Sequence, residues 1–600
     1  MRRLMRCAAF LSVGAATLLG AGQAIGVGVA GATVHQAAPP HTIGHLVSRG
    51  TVNLRAIAAR QGASGTARGG HYPAQPVSPV RPKSAAQATV PVPNPPATPI
   101  LSRTGGAKGF VGLTAADNGA VNGFDVEPPD QGLCAHHGVA LETVNLAVRA
   151  YTVSGVALTG TVSLNSFFGL SPAVNSSHNP PTFGPFVSDP RCYYDAQTAR
   201  WFVTVLEIDV NPYTGALGYR SSELIAVSQT SDPTGNYGLF SFDTTNDGIG
   251  GTPSEPNCPC FGDQPRIGAD ANGFYISTDS YPIHGLFNSN GGELYAISKR
   301  GLAAAATGGP APSPVAIHVG AVVIDGYPAN ALQPAETPEG GSYAPNREYF
   351  LNTPDFNGFA TMGGAGARAV VLWTLAGTTS LASPSPALTL TDKIIPSEPY
   401  APPVPALQKP GPRPLGQSLN APLPPLSVND DRMQQVEYLN GQLFSSLNTG
   451  IGPNGKANRS GVAWFEVTPN GSTGTVSHQG YLAAGGTTTL LYPSIGLNQF
   501  GRGVMTFSVS GRTHYPSAAY ALFDRTGPTG PIYVSGPGTA PEDGFTCYAA
   551  EGFGPTCRWG DYTAASSDGT SRVVMGDEMI PNTARDQLAN WGTFLSTLNR

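Results

Sequence analysis

Cys557-Arg558-Trp559-Gly560-Asp561-Tyr562, followed by the turn Ser567-Asp568-Gly569 and the apolar run Arg572-Val573-Val574-Met575, reads as a short strand, a tight turn and a second strand. Weaker copies of this phrase recur along the chain, so the sequence is a repeat array before it is anything else. The first copy is Pro129-Asp130-Gln131-Gly132-Leu133-Cys134, with a turn at His136-His137-Gly138 and strands over 139–144 and 147–153. The second opens at Asp189-Pro190-Arg191-Cys192 and the third at Gly262-Asp263-Gln264-Pro265-Arg266. The fourth has a degraded first strand and keeps 348–351 and 369–375. The fifth opens at Asp430-Asp431-Arg432 and turns at Asn440-Gly441; the sixth opens at Tyr492-Pro493; the seventh is the phrase quoted first, ending at 593–598.

From Gly138 to Gly569, six steps give about 72 residues per repeat, long for a four-stranded blade of roughly 40–50, so the excess falls in loops. Seven units with glycine- or asparagine-marked hairpin turns predict an all-β fold, a seven-bladed β-propeller, in preference to a β-sandwich with an appended domain. The seventh unit runs out of chain after its third strand. Gly109-Phe110-Val111-Gly112-Leu113-Thr114 stands unpaired before the first unit, so pairing this N-terminal strand with the last blade would close the ring.

Composition agrees with short strands and many turns. Gly (76) and Pro (56) make about 22% of the 600 residues, against roughly 12% in average usage. Charged residues are 12% and the net charge is -5, which leaves no basic footprint for nucleic acid. Arg outnumbers Lys, the usage of GC-rich bacterial genomes. Residues 1–32 read as a signal peptide, with Arg2, Arg3 and Arg6 ahead of an apolar stretch from Ala8 to Leu19 that is too short to span a bilayer. Residues 33–108, rich in Ala, Pro, Gln and Ser, are expected to be a disordered spacer, and 109–600 the propeller. The expected protein is therefore secreted and extracellular, with no membrane span, and meets an extracellular glycan or protein.

Six cysteines follow Cys7: Cys134, Cys192, Cys258, Cys260, Cys547 and Cys557. An even number in an exported chain predicts three disulfides, with 15 possible connectivities. Cys547–Cys557 would close a short loop and Cys134–Cys192 would join equivalent places in consecutive repeats, leaving Cys258–Cys260 as a cramped ring; Cys-Pro-Cys could instead be redox-active. No metal site is expected: no Cys-x-x-Cys or His-Glu-x-x-His occurs, and His136-His137 reads as a solvated turn. No cofactor is expected either, although Asp243-Thr244-Thr245-Asn246-Asp247-Gly248 offers oxygen ligands for calcium without the spacing or closing Glu of a calcium loop.

Innermost strands of propeller blades line a central channel, and their opening loops meet at one mouth. Those openings carry Asp130, Asp189 and Arg191, Asp263 and Arg266, Asp430, Asp431 and Arg432, Tyr492, then Arg558 and Asp561. The candidate ligand-binding residues are Asp130, Arg191, Asp263, Arg266, Asp431, Arg432, Tyr492, Arg558 and Asp561. Convergent guanidinium groups would bind an anionic sugar or carboxylate bidentately, and a carboxyl with a shifted pKa would serve acid–base chemistry. Repetition at equivalent positions is also what ion pairs that fix the turns would produce. No Gly-x-Ser-x-Gly elbow, phosphate loop or dinucleotide fingerprint occurs. The expectation is a binding or scaffold protein rather than an enzyme, with no catalytic residue assigned. The alternative is a glycoside-active, sialidase-like enzyme working at the channel mouth.

Asp189-Pro190-Arg191-Cys192-Tyr193-Tyr194-Asp195 with Arg200-Trp201-Phe202, together with Gly262-Asp263, Asp430-Asp431-Arg432 and Arg558-Trp559-Gly560-Asp561-Tyr562, resembles a group of secreted bacterial propeller-like proteins of unknown function. The likeness covers roughly residues 109–600; it implies the fold and supplies no activity. A looser likeness is to sialidase-type propellers. Thr230-Ser231-Asp232-Pro233-Thr234-Gly235-Asn236-Tyr237 is similar to their Asp-box, with one extra residue and no tryptophan, and it carries over no site residue.

Overall fold

The computed structural model describes residues 41–61, 90–285, 289–324, 327–354, 366–582, 585–586 and 588–600. The expected signal peptide, residues 1–32, lies outside these residues. The described protein is mostly antiparallel sheet and propeller-like. Its larger sheets have four, five or eight strands.

The first sheet runs Gly132–His136, Val139–Val144, Ala147–Thr152 and Val162–Ser163. The second runs Phe186–Asp195, Arg200–Val210, Leu217–Ser228 and Asn236–Asp243; the third runs Cys260–Ala269, Gly273–Pro282, Gly291–Ser298 and Val315–His318. An eight-stranded sheet follows. Its halves, 333–400 and 436–482, meet through a short parallel pairing of Ala335 with Val436 and Glu336 with Glu437. The next sheet spans Thr489–Leu497 to Gly527–Gly536, and the last runs Ala564–Ser567, Arg572–Met579 and Gly592–Asn599. Lys108–Thr114 pairs antiparallel with Gly592–Asn599, so the last sheet takes its fourth strand from the N-terminal side.

Tight hairpins set the registers. His136 pairs with Val139 across His137-Gly138, and Leu439 with Gln442 across Asn440-Gly441; both central residues of each turn have positive φ, the type I′ geometry that matches strand twist. Side chains then alternate between two neighbours. Tyr194 and Trp201 pack toward the first sheet, whereas Tyr193 and Phe202 pack toward the third. Val573 faces the preceding sheet and Val574 faces the first sheet, where it meets Leu133 and Ala140. Sheets covered on both faces lose the apolar–polar alternation, which is why Gly273–Pro282 is buried along its whole length.

Three expectations are corrected here. The span 33–108 is not a uniform disordered spacer. Val47–Asn53 adds a fifth strand to the second sheet, His41–Ile43 a fifth strand to the third, and Ile100–Leu101 pairs parallel with Ile532 and Tyr533. Helix Leu54–Gln61 buries Leu54, Ile57 and Ala58 in the core under the first two sheets. These segments cover sheet edges, and an apolar stretch that short disappears in the averaged composition of the span. Cys557–Tyr562 is a loop rather than a strand; the strand is Ala564–Ser567. The fourth repeat's inner strand, unread in the sequence, is Gln333–Glu336. Disulfides join Cys134 to Cys192, Cys258 to Cys260 and Cys547 to Cys557. Among the described residues no helix is long and apolar enough to cross a membrane.

Candidate active site

The site begins with a proline device. In three inner strands a proline follows the residue that enters the ladder: Asp189-Pro190, Gln264-Pro265 and Tyr492-Pro493. Proline has no N–H to give, and the register slips at each place, between Ser188 and Arg191, between Asp263 and Arg266, and between Leu491 and Ser494. The residue before each proline takes φ of 57°, 48° and 50°. A bulge of this kind re-aims its side chain out of the sheet alternation.

The preceding repeat braces these bends. Asn145 Oδ1 accepts the Asp189 N–H at 2.8 Å, and Asn448 Oδ1 accepts the Tyr492 N–H at 2.8 Å. Asp279 Oδ1 accepts the Ala331 N–H at 2.7 Å, Ala331 being another residue with positive φ. Such bonds satisfy the backbone donors that the broken ladder leaves over.

A small cleft opens beside the first three inner strands and the 557–562 loop. Asp130, Asp189, Asp263, Gln264, Arg558 and Asp561 supply its polar wall, and Val126, Leu146, Phe186 and Leu206 its apolar one. Asp561 Oδ2 accepts from Gln264 Nε2 at 2.9 Å and lies 3.3 Å from an Arg558 guanidinium nitrogen. Its backbone N–H donates to Asp130 Oδ1 at 2.7 Å, while Asn145 Nδ2 donates to Asp130 Oδ2 at 2.6 Å. The Tyr562 hydroxyl donates to Asp189 Oδ1 at 3.0 Å. Asp263 accepts no hydrogen bond from the described residues. The Cys547–Cys557 disulfide anchors the loop that carries Arg558 and Asp561.

Carboxyls outnumber cations in the cleft, and their pKa values respond. Burial raises the Asp263 carboxyl to about 8, with Asp189 and Asp279 adding to the effect. Burial, then Asp561 and Asp189, holds Asp130 well above the carboxylate range; burial and Asp561 raise Asp189. Glu127, which also lines the cleft, and Glu578 are raised as well, by burial and then by Glu542. Burial works against the charge of Arg558, but Asp561, Asp130 and Asp189 together more than offset it, so the guanidinium is held firmly protonated. The arrangement keeps carboxylic acids protonated near neutral pH beside an ion-paired carboxylate, the combination that acid–base chemistry at a glycosidic bond uses.

Of the residues singled out in the sequence, Asp130, Asp263, Arg558 and Asp561 come together in this cleft. The others are engaged elsewhere. Arg191 lies over the Tyr562 ring at 3.4 Å and donates to the Pro265 carbonyl at 3.0 Å. Arg266 pairs with Asp279 at 2.8 Å, and Arg432 with Asp430 at 2.7 Å. Asp431 is fully buried, and Tyr492 packs in an apolar cluster with Leu426, Val428 and Trp559. The anionic-sugar expectation therefore loses its convergent arginines, because only Arg558 faces the cleft among acidic neighbours. Gln264, Asn145 and Tyr562 were not singled out. The Gln264-Pro265 dipeptide was the available signal for Gln264; the roles of Asn145 and Tyr562 depend on neighbours 44 and 373 residues away. The calcium expectation fell on Asp243 and Asp247, which stand 3.1 and 3.9 Å from Arg220.

No family of known sequences matches the chain, and no curated protein does. Solved structures to which the chain is similar include an exo-β-1,3-galactanase from Clostridium thermocellum, 11% identical, covering 81% of this chain and 96% of that one with a TM-score of 0.27. An α-L-arabinanase of Penicillium chrysogenum is 13% identical over 68% and 92%, TM-score 0.30. A GH93 α-L-arabinofuranosidase of Fusarium graminearum is 12% identical over 69% and 93%, TM-score 0.31. These likenesses are distant and assign no activity by themselves. The cleft itself corrects the expectation of a scaffold that is not an enzyme, because it gathers raised carboxyls beside the Arg558–Asp561 pair. Ion pairs that merely fixed turns would leave no surplus of raised carboxyls facing an open cleft.

Proposed function

We propose that the protein is a glycoside-active enzyme built on a seven-bladed propeller, with the cleft at the channel mouth as its active site. The seventh blade is counted by dividing the eight-stranded sheet into two four-stranded blades that touch at their innermost strands. Each half then shares its own core with the next sheet along the ring. The N-terminal strand pairing with the last blade would close that ring.

Asp263 serves as the general acid. It lies in the cleft, accepts no hydrogen bond from the described residues, and has its carboxyl raised to about 8. As the glycosidic C–O bond breaks, its proton passes to the departing oxygen. Asp561, paired with Arg558, supplies the negative charge facing the positive anomeric carbon; water then bonds to that carbon and gives a proton to the Asp263 carboxylate, which restores the acid. Asp130 and Asn145 position Asp561 and the Asp189 bend. The acidic surplus favours a neutral sugar over an anionic one. We further propose export from the cell, led by the signal peptide, and an extracellular glycan as substrate.

The observation that carries this reading is the raised, unbonded Asp263 carboxyl beside the Asp561–Arg558 pair. Reducing-end release from a panel of neutral plant, fungal and bacterial polysaccharides tests it, with Asp263→Asn and Asp561→Asn run in parallel. Release by the wild type and its loss in both folded variants is expected. Release from no glycan, or equal release by the variants, would refute it.

A further inference from the structure

Away from the cleft, the third sheet holds a second cluster of ionisable groups. Glu293 and His318 face each other across the antiparallel pair of Gly291–Ser298 and Val315–His318. Glu255 comes to them from the loop that precedes the inner strand and is turned by the Cys258–Cys260 disulfide. Its carboxylate is already oriented: Asn246 Nδ2 donates to Oε1 at 3.1 Å and the Ser280 hydroxyl to Oε2 at 3.0 Å. His318 Nδ1 lies 3.0 Å from Glu255 Oε1 and also contacts Glu293 Oε1.

We propose that Glu255, Glu293 and His318 form a site for one divalent cation of the zinc class. One ligand atom from each residue lies within 4.8 Å of the others. Metal–ligand bonds of about 2.0–2.1 Å in a tetrahedral site place neighbouring ligand atoms roughly 3.3 Å apart, close to the 3.0 Å His318–Glu255 separation, and Glu293 would draw back from its closer contact with His318 to take the third position. Glu293 Oε2 is an independent pointer. Glu293 is 1% exposed, and this oxygen has no hydrogen-bond partner among the described residues.

Gly320 keeps the approach open: a Cβ there would lie 3.0 Å from His318 Cε1 and 2.2 Å from the Asn290 carbonyl oxygen. The side chain of His318 is one-fifth exposed, which gives a metal its route in and leaves a coordination position for water. The cation would clamp the Glu255 loop to the outer strands.

His136, His137 and Glu339 are a second grouping with ligand atoms in reach, but His136 is occupied on both ring nitrogens, by Tyr194 and by Glu339. It serves as the internal control. The test is metal content of the full secreted chain by mass spectrometry, after chelation, reloading with zinc and desalting, with cobalt absorption as a check on geometry. Wild type and His137→Gln should each retain roughly one zinc per chain, and Glu293→Gln and His318→Gln should retain less than about a tenth of that. Both variants are near-isosteric, and circular dichroism verifies their fold. A wild type that retains no zinc would overturn the site, as would either folded variant retaining as much as wild type.

Discussion

On the cleft side, Asp189 and Gln264 occupy left-handed bends before proline and border a cleft with Asp130, Asp263, Arg558 and Asp561. On the other side Tyr492 occupies the same bend before Pro493, yet it is roofed by the Pro-rich segment that follows the eight-stranded sheet's first half. Leu426 bridges to Cys557 there, and Ala406, Leu426, Val428 and Trp559 pack against Tyr492 in one cluster. Backbone geometry is common to both sides; what covers it differs. Under an apolar roof the re-aimed side chain becomes packing. Where the roof is missing, carboxyls crowd around one arginine and their protons are held.

Four experiments test this contrast. The largest effect is on catalysis: Asp263→Asn should lower hydrolysis by about 10²–10⁴-fold. Its melting temperature should hold or rise, since a strained carboxyl is removed. The reverse belongs to the balanced charges inside the sheets. Lys299 and Asp195, both fully buried and 2.7 Å apart, are matched one to one. Lys299→Met leaves Asp195 uncompensated and should cost about 3–5 kcal/mol by urea unfolding.

Replacing both Cys134 and Cys192 by Ser frees a 58-residue separation between the first two inner strands. Chain entropy sets that loss at about 4 kcal/mol, and non-reducing unfolding curves would measure it. The fourth experiment reads pH dependence. With Asp263 raised from 3.8 to about 8, the folded protein holds a proton that the unfolded chain releases across that window. Folded stability therefore falls as pH rises from about 4 to 8, and unfolding midpoints should fall less steeply in Asp263→Asn.

Much of the fold was legible because its punctuation is local. His137-Gly138 and Asn440-Gly441 need positive φ, and the apolar runs beside them alternate sides. Gln333–Glu336 was not legible, being four residues long with Pro334 inside. Cys557–Tyr562 misread as a strand because its small and aromatic residues serve the site instead: Gly560 N–H donates to Glu578 Oε2, and Asp561 N–H to Asp130. The acidic residues of the cleft could be named from the repeats. Which arginines would face it could not, because the Tyr562 ring and Asp279 decide the fates of Arg191 and Arg266 through space.

The most direct measurement is an infrared titration of the protonated-carboxyl carbonyl band, taken as wild type minus Asp263→Asn from pH 5 to pH 9. A difference band that persists at pH 7 and fades as pH passes about 8 is expected. A difference spectrum with no such band at pH 7 would mean that Asp263 is already ionised, and the cleft would have no acid to give.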